Sequence, residues 1–223
     1  SEQISHAYIL TGEEGSGRKT LAKAFAMTLL CENSKVEPCG TCHSCKQFLA
    51  DSHPDVIYVK HEKAGSIGVD EVRKQIVNDV AIKPYSSAYK IYIIDEAEKL
   101  TKGAQNALLK TIEEPPEYVI LIFITNNSDS FLPTILSRCV TLKLQPIYNT
   151  IIKEELLKKY EITTQQAELY AAMSRGSLGK ALSFVESEDF KKVYGYVMEL
   201  VHTRKDRPVY QLLDVVKRVQ EYV

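Results

Sequence analysis

Gly12, Gly15 and Gly17 stand in a short polar stretch, Gly12-Glu13-Glu14-Gly15-Ser16-Gly17-Arg18-Lys19-Thr20. An apolar run, His6-Ala7-Tyr8-Ile9-Leu10, precedes it, and a helical pattern from Leu21 to Leu30 follows. A strand that turns through glycines straight into a helix is the frame of a phosphate-binding loop, whose backbone N–H groups cradle an anion. The working pattern is Gly, four residues, Gly, Lys, then Ser or Thr. Gly12 and Gly17 fit it. Arg18 stands where the lysine belongs, and Lys19 where the magnesium-binding hydroxyl belongs. Arginine keeps the charge, but on a planar fork of different shape. Lysine carries only donors and cannot ligate a cation. Thr20 has a hydroxyl, but one helical residue further on it points about 100° away. In a register shifted to Lys19-Thr20, Glu13 and Arg18 take the two glycine positions. Glu13 and Glu14 also bring negative charge close to where phosphates would sit. The loop therefore reads as a degenerate nucleotide site. A plain Gly-rich turn and a working site are the alternatives.

Four of the five cysteines, Cys31, Cys39, Cys42 and Cys45, form the pattern C-x7-C-x2-C-x2-C. Four thiolates suit tetrahedral zinc in a closed, structural cage. Pro38 and Gly40 help the chain turn between them. Disulfides compete, although a cytosolic protein keeps its thiols reduced, and an iron–sulfur cluster is open to the same ligands. His43 lies inside the cluster and is read as solvent-facing. Cys139 is read as a small buried apolar residue.

Net charge is −1, so no global basic field advertises nucleic acid. No run spans a bilayer and no secretory signal opens the sequence, which predicts a cytoplasmic protein. The 223 residues, 44% hydrophobic, are enough for a real core.

Strands are expected at 55–59, 90–94, 119–125 and 140–144, alternating with helices. Val69, Val72, Ile76 and Val80 recur at helical spacing, and Pro84 ends that pattern. Ala104, Leu108, Leu109 and Ile112 mark a second helix that Pro115-Pro116 stops. This alternation predicts an α/β fold with a parallel sheet covered on both faces. At the end of the 90–94 strand stand Asp95 and Glu96. In a P-loop nucleoside triphosphatase such a pair holds magnesium and polarises water; an acidic helix start looks the same. Asn126-Asn127 ends the next strand, either as a water-positioning tip or as a simple turn. Arg138 sits between Ser137 and Cys139 before the last strand. After Pro146 the chain reads as helices, at 147–160, 164–174, 177–185, 189–202 and 208–223, with an N-cap at Thr163 or Thr164.

Together these residues resemble the bacterial clamp-loader family, a branch of the AAA+ ATPases. The resemblance is carried by Ser5-His6-Ala7-Tyr8, the loop at Gly12 to Thr20, the four cysteines and His53-Pro54-Asp55. To these add Ile67 to Arg73, Ile93 to Glu98, Asn106 to Pro116, and Ser137-Arg138-Cys139. It covers nearly the whole chain. It implies an AAA+ P-loop domain over 1–145 with a zinc module at 31–45. A three-helix lid over 146–186 follows, and a truncated collar domain starts at 187–223; the extreme N-terminus is also missing. Motor subunits of the family keep the loop lysine and threonine, and carry a phosphate-sensing arginine where Gly179 stands here. With those altered, the resemblance is to the delta-prime branch, which lacks ATPase activity of its own within the DNA polymerase III holoenzyme. It implies that ATP does not bind tightly at Gly12, Gly15, Gly17, Arg18, Lys19, Thr20, Asp95 and Glu96. It implies that Arg138 acts in trans as an arginine finger on a neighbour's nucleotide. The partners it implies are gamma/tau and delta subunits, the sliding clamp indirectly, and primed DNA. The rival is an ATP-hydrolysing gamma/tau-type motor. A zinc-dependent nucleic-acid-binding module would predict salt-sensitive DNA binding by the chain alone, and the charge balance argues against it.

Overall fold

The computed structural model describes residues 4–34, 36–61 and 65–203. The helix expected at 208–223 lies outside them. The chain divides into two compact units, 1–145 and 146–223.

The first unit is built on five parallel strands: β1 (Ala7–Thr11), β2 (Val56–Tyr58), β3 (Lys90–Ile94), β4 (Val119–Thr125) and β5 (Val140–Lys143). Their order across the sheet is β2-β3-β4-β1-β5. The central strands are apolar because both of their faces are covered. All seven residues of β4 are buried. Alternate side chains feed two separate cores. Ile9, Tyr92, Ile94, Leu121 and Phe123 face one, with helices α3 (Val69–Val72), α4 (Lys102–Glu113) and α5 (Pro133–Leu136). Leu10, Ile91, Ile93, Ile120 and Ile122 face the other, with α1 (Arg18–Leu30) and α2 (His43–Leu49). Each large apolar side chain so buried stabilises the unit by about 1.5–3 kcal/mol.

The cover is incomplete at β5, whose four residues are all exposed. As the edge strand it pairs only with β1 among the described strands. Another departure lies after α3. The helical spacing predicts one helix to Val80, but α3 gives way to a π turn over Arg73–Val77, with Asn78 N–H donating to the Arg73 carbonyl at 2.9 Å. Side-chain chemistry fixes this break. The Gln75 amide bonds both backbone groups of Lys60, at 2.8 and 2.6 Å. A polar anchor follows: buried Lys90 forms an ion pair with Asp79 Oδ2 (2.7 Å) and donates to the Asp79 and Ile82 carbonyls.

Strand register sets the functional edge. Thr11 pairs with Thr125, and Ile94 with Phe123. The carboxyl ends of β1, β3 and β4 therefore lie side by side, the usual place for a ligand in an open parallel sheet.

In the second unit, α6 (Asn149–Lys159), α7 (Thr164–Met173) and α8 (Leu178–Glu186) share a core of Ile152, Leu156, Tyr170, Ala181 and Val185. Thr163 caps α7 through a capping box with Gln166. From α9 (Glu188–Thr203), Phe190 stacks on Phe184 at 4.5 Å. Gly176 makes the turn before α8 at φ 83°, where an added Cβ would lie 2.5 Å from Pro146 Cβ.

Candidate functional site

The loop after β1 has the expected frame. Gly15 and Gly17 take φ of 73° and 90°, and α1 starts at Arg18. Only glycine adopts such angles without strain. Its N-terminal turn has no side-chain cap and no acidic residue. Arg18 is half-buried, and Thr20 is exposed on the helix surface.

Lys19 does what the spacing alone does not reveal. Its Nζ lies 2.5 Å from Asp95 Oδ2, immediately beyond β3. A motor subunit would hold a magnesium ion between a loop hydroxyl and this carboxylate. Here an ammonium bonds the carboxylate directly. Glu96 is also engaged. It sits at φ 50°, an unusual angle for a side-chain-bearing residue. Its Oε2 meets Lys99 Nζ at 2.8 Å and His61 Nε2 at 3.3 Å. The hydrogen bond from Lys99 is the main reason its carboxyl is held below the usual range. A carboxylate neutralised this way is a weaker base for activating water.

At the tip of β4, Thr125 Oγ1 accepts from the Asn127 N–H and donates to the Asn127 carbonyl, both at 3.0 Å. Asn127 Oδ1 accepts from the Asp129 N–H. Asn127 thus serves the turn, while Asn126 is exposed.

The four cysteine sulfurs lie within 4.8 Å of one another. Tetrahedral zinc with Zn–S bonds of about 2.3 Å needs sulfurs about 3.8 Å apart, so a small contraction closes the cage. The backbone is already turned toward the sulfurs. Cys39 N–H points at Cys31 Sγ (3.4 Å), Cys42 N–H at Cys39 Sγ (3.4 Å), and Cys45 N–H at Cys42 Sγ (3.3 Å). Donors aimed at sulfur favour thiolate. The Thr41 hydroxyl, with backbone N–H groups, draws the Cys39 thiol down to about 5, while burial pushes Cys45 up to about 12. The donor set fits a structural metal with no open position. His43 is exposed, as expected from the sequence. Cys139 is only half-buried, but packs on the sheet core, and burial pushes its thiol up to about 12.

His53 and Asp55 tie this module to the sheet, a role the spacing did not disclose. Asp55 N–H donates to His53 Nδ1 (3.1 Å), so Nε2 carries the proton and donates to the Ser44 hydroxyl (3.0 Å). The Asp55 carboxylate accepts from the N–H groups of Tyr85, Ser86 and Ser87 and from the Ser86 hydroxyl. Two polar residues on either side of one proline thus join α2 to the loop leading into β3.

Arg138 stands apart from these residues, in the turn after α5. Its Nη2 meets Glu113 Oε1 at 3.0 Å, and Nη1 donates to the Thr134 carbonyl (3.0 Å) and the Ser137 hydroxyl (3.2 Å). Glu113 was part of the family motif, but nothing in its spacing pointed to Arg138.

No helix among the described residues is long and apolar enough to cross a membrane.

A family model described as "DNA polymerase III, delta subunit" matches residues 1–148. The tau subunit of DNA polymerase III from Bacillus subtilis is 37% identical over 191 residues, covering 83% of this chain and 33% of that protein. The delta-prime subunit of the same organism is 29% identical over 217 residues, covering 96% of this chain and 64% of that protein. The chain thus spans from about a third to less than two thirds of the length of these relatives. Among solved structures, the Thermotoga maritima RuvB branch migration motor superposes with a TM-score of 0.51 at 19% identity, over 99% of this chain and 62% of that one. That likeness shows an AAA+-type fold.

Proposed function

This chain belongs to the clamp-loader family of DNA polymerase III, and from that premise we propose that it is a delta-prime-type subunit that does not hydrolyse ATP. The observation that carries the reading is the Lys19–Asp95 ion pair. A magnesium nucleotide needs a metal between the loop and this carboxylate, and here a fixed ammonium competes for that place. Arg18 and the engaged Glu96 support the same conclusion. ATP is therefore not bound tightly.

Arg138 keeps the chemistry that Lys19 gives up. It is exposed, permanently charged and presented on a short turn. In this reading it reaches the nucleotide of an adjacent gamma/tau-type subunit and stabilises charge on the transferring phosphoryl group. The delta subunit, the sliding clamp and primed DNA complete the assembly. Residues 146–186 serve as the lid, and residues from 187 begin the collar. Cys31, Cys39, Cys42 and Cys45 hold one zinc ion, which supplies a crosslink and no catalysis.

The test is ATP turnover in a reconstituted clamp loader carrying Arg138→Ala. An in-trans finger predicts a loss of about 10³-fold or more in the neighbour's turnover. Unchanged turnover and clamp loading would overturn the reading. A gamma/tau-type motor is the second reading, favoured by the 37% identity to tau. It predicts magnesium-dependent hydrolysis at the chain's own loop.

A further inference from the structure

Arg138 has a long, exposed side chain, and something must hold its fork in one place before a phosphate arrives. A guanidinium has five N–H donors. Nη1 donates to Thr134 and Ser137, and Nη2 lies 3.0 Å from Glu113 Oε1 as an ion pair. The described hydrogen bonds of Arg138 use Nη1 alone, and its side chain is 40% exposed, so donors remain for an outside anion. The fork is thus anchored on one side and open on the other.

Glu113 is an odd residue to find at its position. It is the last residue of α4, where the helix dipole disfavours a carboxylate. Lys110 in the same turn is the residue type such a terminus favours. The Glu113–Arg138 pair is 44% and 40% exposed, so water screens it and it adds little to stability. Its consequence is geometric. Thr134 lies in α5 and Ser137 in the turn that follows it, within a few residues of Arg138. Glu113 comes from a different helix and fixes the fork relative to the body of the sheet.

We propose that Glu113 is a positioning residue for Arg138: it anchors one Nη group so that the remaining donors are held ready for the neighbouring subunit's phosphate. This rests on the finger reading given above. Pre-set orientation is worth most where a charged group must meet a transition state without first being ordered.

The test uses the reconstituted complex with the full chain. Glu113→Ala, Glu113→Gln, Arg138→Ala and the Glu113→Ala/Arg138→Ala pair are compared for kcat and KM of ATP turnover. Glu113→Ala is expected to lower kcat about 10-fold with KM for ATP unchanged, within the range of about 10²-fold that misplacement can cost. Glu113→Gln keeps an acceptor oxygen and should restore kcat to within about threefold of the parent. The double variant should be no slower than Arg138→Ala alone, because Glu113 acts only through Arg138. Normal or faster turnover in Glu113→Ala, or a further loss in the double variant, overturns the inference. Normal turnover in Arg138→Ala would sink both the finger reading and this one. A slow Arg138→Ala beside a normal Glu113→Ala would sink this one alone. Sedimentation of each complex separates slow turnover from failed assembly; if Glu113→Ala does not assemble, Glu113→Leu, which lacks an acceptor, carries the test, with the same loss expected and normal turnover overturning the inference.

Discussion

Lys19, in the first turn of α1, and Asp95, at the tip of β3, are joined by a 2.5 Å ion pair across the mouth of the glycine loop. The side chains are 69% and 39% exposed, so the pair contributes little to stability. Its effect is local: in the reading proposed above, a tethered ammonium competes for the place a magnesium ion would take.

Restoring the motif should therefore restore binding but not turnover. In Arg18→Lys/Lys19→Thr, a hydroxyl returns beside a freed Asp95, and magnesium-ATP affinity should rise at least about 10-fold, or about 1.4 kcal/mol. Glu96 stays engaged by Lys99 and His61, so hydrolysis should remain absent. Titration calorimetry on parent and variant decides it. Micromolar magnesium-ATP affinity in the parent would defeat the explanation.

The cysteine cage predicts one zinc per chain by elemental analysis. Cys42 caps α2, and Cys31 and Cys45 are buried in the core shared with α1. Chelation should accordingly speed amide exchange over residues 31–50 while leaving β4 protected. A folded, metal-free chain with unchanged exchange in that segment would refute the site.

The frame of both sites was readable in the sequence because each depends on local spacing. Glycines between a strand and a helix, and cysteines two residues apart, constrain their own neighbourhood. The parallel sheet was readable because buried strands are continuously apolar, as in β4. What spacing could not disclose is which distant side chains meet. Lys19–Asp95 and Arg138–Glu113 join separate elements whose adjacency only the sheet order creates. The π turn at Arg73–Val77 was hidden for a related reason. Val72, Ile76 and Val80 satisfy a helical period, while the contacts around the break come from Lys60 and Lys90 elsewhere in the chain.

Lys90 anchors that break, so its loss should be felt through the first unit. Lys90→Ala leaves the Ile82 carbonyl without the Lys90 donor and Asp79 without its counter-charge, although the Ile82 N–H still donates to the Asp79 carbonyl (3.0 Å) and Tyr92 to the Asp79 carboxylate (2.7 Å). Lys90 is buried but Asp79 is 30% exposed, so losing Lys90 should cost about 2 kcal/mol, between an exposed and a buried pair. The chain has no tryptophan, so urea unfolding is best followed by circular dichroism. A change below about 1 kcal/mol, the level of an exposed pair, would show that the anchor is not structural.

His53 gives the chain an acid limit whose sign follows from its hydrogen bonds. Burial pulls its imidazole below the ordinary 6.5, and the nearby Asp55 charge only partly offsets this. Nδ1 already accepts from the Asp55 N–H, so a proton added there would face another donor. The folded ring therefore stays neutral while the unfolded one binds a proton. Stability is full above the ordinary value and falls as pH drops from about 7 toward 5. Asp55 adds a second loss at lower pH. Burial would raise its carboxyl, but the donors of Tyr85, Ser86 and Ser87 outweigh this and hold it below 3.8. Its stabilisation is present above that value and disappears as pH falls through the lowered one. His53→Gln keeps a donor and an acceptor without a titrating proton, and should flatten the slope between pH 7 and 5 while leaving the loss below pH 4. Urea unfolding across pH measures both. An NMR titration placing the His53 ring at or above 6.5 would contradict the argument.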